Sequence, residues 1–79
     1  MTDKNMAILN FISSDEFQDR KEFYKKQIQN KKLNLDQLII HVLDEVWHQH
    51  KFTFWDMEFP VMRYYREFTR DVLTKELLI

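Results

Sequence analysis

His41, Asp44, Glu45 and His48 stand at positions i, i+3, i+4 and i+7 of a stretch with helical periodicity. At about 100° per residue they share an arc of roughly 100° on one helix. Two imidazoles and a carboxylate so spaced can hold a divalent cation. Glu45-x-x-His48 is also the spacing that di-iron carboxylate bundles turn into their cores. The quartet nevertheless lies opposite the leucine and valine face of the same helix, and a patterned polar face reads as a solvated helix back. No metal or other cofactor is therefore assigned. His50, on the apolar side near the end of that helix, reads as a cation beside the last carbonyls. No serine lies near a histidine in sequence, and at 32% charged residues no carboxylate pair is singled out. No residue is assigned a catalytic role, and the chain is expected not to be an enzyme.

The other charged pattern is a stripe of Arg63, Arg66 and Arg70. Arginines three and four residues apart can fork onto phosphates or guanines. Glu67 and Asp71 lie beside them, with Arg63 and Glu67 at an i,i+4 spacing, so a local salt-bridge lattice accounts for the stripe. Lys25, Lys26, Lys31 and Lys32 follow Asp15, Glu16 and Asp19, an order that complements the dipole of a helix between them.

Two missing residue types narrow the chemistry further. The 79-residue chain contains no glycine, where average usage would supply about five or six. Without it there are no Asn-Gly or Asp-Gly hairpins, no phosphate-cradling loops and no glycine-flanked nucleophile elbow. Cysteine is also absent, so neither disulfides nor thiolate zinc sites can reinforce the fold. Twelve basic residues face thirteen acidic ones for a net charge of −1, and no block is strongly basic. That balance lacks the electrostatic footprint of a nucleic-acid binder. The apolar run Met6 to Ile12 is broken by Asn10 and bounded by Asp3 and Asp15. It is too short and too acidic for a leader or a membrane span. The expectation is a cytoplasmic protein with no membrane partner.

These side chains would be carried by an all-α fold: one domain, residues 1–79, built as a small bundle of three to four helices. Thr2 can cap a short helix over 3–12. Ser13 stands three residues before Glu16, a capping-box spacing, and predicts a helix running to about Lys31. Its apolar stripe is thin: Phe17, Tyr24 and Ile28, with Phe23 off to one side. Asn34 and Gln37 predict the start of a third helix over 35–50. Its apolar residues, Leu35 to Trp47 with Ile40, cover roughly 200° of its circumference, so it is expected to be central and touched from two sides. Lys51 to Pro60 reads as punctuation, with Thr53 capping a short turn and Pro60 in the first turn of the next helix. The last helix, about 61–78, would pack antiparallel to the central one. Val61, Tyr64, Tyr65, Phe68 and Val72 would form one face, opposite the arginines.

With 44% hydrophobic and 15% aromatic residues, the chain has more apolar side chains than so small a domain readily encloses. The surplus is densest at Phe52, Phe54, Trp55, Met57, Phe59 and Met62, and recurs at Leu77, Leu78 and Ile79. Aromatics and methionine are enriched at protein interfaces, and a greasy terminus docks on something. The function expected is that of a small regulatory or adaptor protein, homodimeric, binding another protein through these residues. The alternative is a DNA-binding regulator in which 35–50 and 61–78 form a helix-turn-helix-like pair read out by Arg63, Arg66 and Arg70. The long connection between the two weighs against it.

Overall fold

A computed structural model describes residues 3–51 and 59–78. Among them are four helices and no strand: α1 (Asp3–Ile12), α2 (Asp15–Gln29), α3 (Leu35–His50) and α4 (Phe59–Leu77). The all-α bundle read from the sequence is the fold observed.

Asn34 and Gln37 start α3 as their spacing predicts. The Gln37 backbone N–H donates to Asn34 Oδ1 at 2.8 Å, and the Asn34 N–H donates to Gln37 Oε1 at 3.0 Å. Two amides that a helix start leaves without partners are thereby satisfied reciprocally. Behind this cap Leu38, Ile39, Val42, Leu43, Val46 and Trp47 are all buried. They pack against α1 on one side and α4 on the other, so α3 is central as expected. Ile40 lies outside this arc and is exposed.

α4 runs antiparallel to α3. The Trp47 ring meets Tyr65 edge-on at 5.5 Å near one end of the pair. At the other end the Arg70 guanidinium reaches the Asp36 carboxylate. The face that α4 buries is rotated from the expected one. Thr69, Leu73 and Leu77 point into the core, while Val61 and Tyr64 are exposed and Tyr65, Phe68 and Val72 are only partly buried. Thr69 explains the difference. It is polar and short, so apolar periodicity passes over it, yet a small side chain suits a close helix approach. Among the described residues its hydroxyl has no hydrogen-bond partner. The helix also begins at Phe59, with Pro60 inside its first turn, where the missing N–H is harmless.

α2 is attached more lightly. Its cap is Ser14, one residue later than expected: Ser14 Oγ accepts from the Phe17 N–H at 3.3 Å and donates to the Phe11 carbonyl at 2.6 Å. The third helical position is then Phe17 and the predicted Ser13/Glu16 box does not form. Phe17 is buried between Phe11 and Tyr24, at ring distances of 6.1 and 5.3 Å. These two rings, Phe17 and Tyr24, are the only buried residues of α2. Lys21 adds an ion pair to Glu76 of α4 at 3.0 Å.

The absence of glycine leaves its mark at two helix ends. α2 stops at Gln29 instead of Lys31 because Lys31 turns left-handed, φ 60°. Its N–H bonds the Ile28 carbonyl at 3.1 Å, and the Lys32 N–H bonds the Gln27 carbonyl at 2.9 Å. This is the Schellman closure, with lysine where glycine is usual. Lys51 is also left-handed after α3, at φ 59°. A left-handed residue with a Cβ is disfavoured, and both positions accept that cost.

Candidate functional site

On α3 the polar quartet stands away from the core. His41, Asp44 and His48 are exposed and Glu45 is half-buried. Among the described residues no group of three or more histidines and carboxylates converges as a metal site would. His50 is exposed at the last position of α3, where the Lys51 N–H closes the helix end on the His48 carbonyl at 3.2 Å.

Arg63, Arg66 and Arg70 do line one exposed face of α4, with Glu67, around a shallow depression of about 270 Å³. Among the described residues the expected Arg63–Glu67 pair does not form. The arginine that is paired is Arg70, and its partner Asp36 lies in the first turn of α3. α3 and α4 lie alongside one another, so the arginine stripe flanks the helix pair.

Of the residues expected at a protein interface, Phe52, Phe54, Trp55, Met57 and Ile79 lie outside the described residues, as does the turn expected at Thr53. The Phe59 backbone opens α4. Met62 is half-buried against the core, and Leu77, only 3% exposed, belongs to the core itself. The apolar C-terminus is thus split: Leu77 completes the bundle through the i, i+4, i+8 row with Thr69 and Leu73, and the neighbouring Leu78 is exposed. At the start of α4 the exposed apolar residues are Val61 and Tyr64. Tyr64 accepts a hydrogen bond from Asn5 Nδ2 at 2.9 Å and stacks on Phe68 at 6.3 Å.

α2 and the N-terminal half of α3 leave an open groove of about 550 Å³ between them. Its floor is apolar, made by Phe23, Tyr24, Leu33 and Leu38, and Arg20, Gln27, Lys32 and His41 complete its lining. Among the described residues no carboxylate lines it. Phe23 is 58% exposed, and among the described residues neither Arg20 nor Lys32 forms an ion pair. The only signal in the sequence is Phe23 itself, set to one side of the α2 stripe.

Among the described residues no helix is long and apolar enough to cross a membrane. No protein family, curated protein or solved structure matches the chain.

Proposed function

We propose that this chain is a small, non-enzymatic regulatory or adaptor protein of the cytoplasm that acts by protein–protein binding as a homodimer. The observation that carries the reading is the surplus of apolar side chains around the start of α4. Val61 and Tyr64 are exposed there, directly after a stretch holding Phe52, Phe54, Trp55 and Met57. Large aromatic area of this kind is what interface cores use. Leu78 is a separate exposed apolar residue at the far end of α4, whereas Leu77 is spent on the core. The non-enzymatic part is supported by the His41/Asp44/Glu45/His48 quartet and the arginine stripe lying on solvent-facing sides of α3 and α4.

Sedimentation of the pure protein tests this. The expected mass is twice 9.9 kDa, and Phe54→Ser/Trp55→Ser weakens the dimer about 100-fold or more. A wild-type chain that sediments as a monomer at every concentration overturns the homodimer. The DNA-binding alternative draws less support, because Arg70 is engaged by Asp36 and α4 lies along α3. A steep loss of duplex binding with rising salt is the result that would favour it.

A further inference from the structure

The groove between α2 and α3 has a definite chemical preference. Its floor offers Phe23, Tyr24 and Leu38, and its charged lining residues, Arg20 and Lys32, are both basic. An occupant complementary to it has bulky apolar side chains with carboxylates beside them. Being open, the groove suits a polypeptide segment better than an enclosed small molecule.

This chain contains such a segment. Residues 52–59 read Phe-Thr-Phe-Trp-Asp-Met-Glu-Phe, five large apolar side chains with Asp56 and Glu58 among them and no basic residue. Within one chain this segment is too short to reach the Leu38 end of the groove and return. It runs from Lys51, just past the end of α3, into Phe59, the first residue of α4, both at the end of the helix pair marked by the Trp47–Tyr65 contact. Leu38 is about 18 Å back along α3 at 1.5 Å per residue. The eight steps from Lys51 to Phe59 span at most about 29 Å, less than the distance to Leu38 and back. A second copy has no such limit.

We propose that the α2/α3 groove of one protomer receives the acidic aromatic segment 52–59 of its partner, and that the exchange is reciprocal. Resting on the homodimer reading above, it gives a closed two-fold interface in which every groove is filled and every aromatic segment covered. Arg20 and Lys32 face Asp56 and Glu58 across it and set the pairing, as rim charges do.

Complementary charge reversal tests the idea. Arg20→Glu/Lys32→Glu makes the groove acidic against an acidic segment, and Asp56→Lys/Glu58→Lys makes the segment basic against a basic groove. Each variant alone should sediment as a monomer under conditions where wild type is dimeric, with self-association weakened at least tenfold. An equimolar mixture should recover the dimer, since both grooves then meet a segment of opposite charge. Recovery also shows that both variants fold. Two variants that still dimerise like wild type overturn the groove as the interface and leave the homodimer standing. Two monomeric variants whose mixture stays monomeric overturn the charge pairing. A monomeric wild type overturns both readings, even if its groove binds a synthetic 52–59 peptide.

Discussion

α2 and α3 are nearly equal in length, 15 and 16 residues, yet they are held in different ways. α3 buries six residues and is flanked by α1 and α4, so its stability is inseparable from that of the whole bundle. α2 buries two rings, Phe17 and Tyr24, and leaves Phe23 in the open. Helical stability in proteins comes mostly from packing an apolar face, not from propensity. α3, held between α1 and α4, is therefore part of the scaffold, and α2 is a helix clipped onto α1 and α4, with the groove where it passes α3.

The largest effect expected from this contrast lies between two aromatic truncations. Trp47 and Phe17 are each 1% exposed, and Trp or Phe to Ala in a core costs about 3–5 kcal/mol. That is comparable to the whole stability of a domain this small. Trp47→Ala removes a contact of the scaffold and should abolish cooperative thermal unfolding. Phe17→Ala removes one of two clips, so the helical signal in circular dichroism should fall by no more than the share of α2, with a residual melt from α1, α3 and α4. Equal collapse in both variants would break the distinction between scaffold and clip.

The contrast also explains which parts were legible beforehand. α3 was readable because cap, periodicity and burial agree: Asn34, Gln37 and the row from Leu38 to Trp47 all name the same helix. α2 starts one residue later than the sequence predicts because Ser13 and Ser14 are adjacent, and what selects Ser14 is the burial of Phe17, a tertiary fact. The ends at Lys31 and Lys51 carried no glycine to mark them. Thr69 hides the core face of α4 from apolar periodicity, and nothing in the sequence separates Leu77, which the core encloses, from Leu78, which is exposed. The groove joins Arg20 and Phe23 to Leu38 and His41 across a turn, and no local pattern announces a seam between two helices.

A medium effect comes from the scaffold itself. Thr69 is fully buried, and a buried hydroxyl without a partner costs about 1–3 kcal/mol. Valine has nearly the same shape without the hydroxyl. Thr69→Val should therefore raise stability by about 1 kcal/mol, or roughly 5 °C in Tm for a domain of this size. A lowered Tm would mean that the hydroxyl is satisfied and that the packing of α4 within the scaffold has a polar element.

The smallest effect discriminates most finely. Lys31 and Lys51 hold left-handed backbone at the ends of α2 and α3. Glycine there relieves the Cβ clash, partly offset by the greater freedom it gives the unfolded chain, for a net gain of about 0.5–1 kcal/mol. Lys31→Gly and Lys51→Gly should raise Tm alike, so melting cannot separate them. Hydrogen exchange can. If α2 opens by itself while the scaffold stays folded, the end of α3 is intact both before and after that opening. Lys51→Gly then leaves α2 exchange unchanged, while Lys31→Gly stabilises only the closed form and slows it about two- to fivefold. Equal slowing in both variants would mean that α2 is released only when α3 unfolds, and the two helices would be parts of a single cooperative unit.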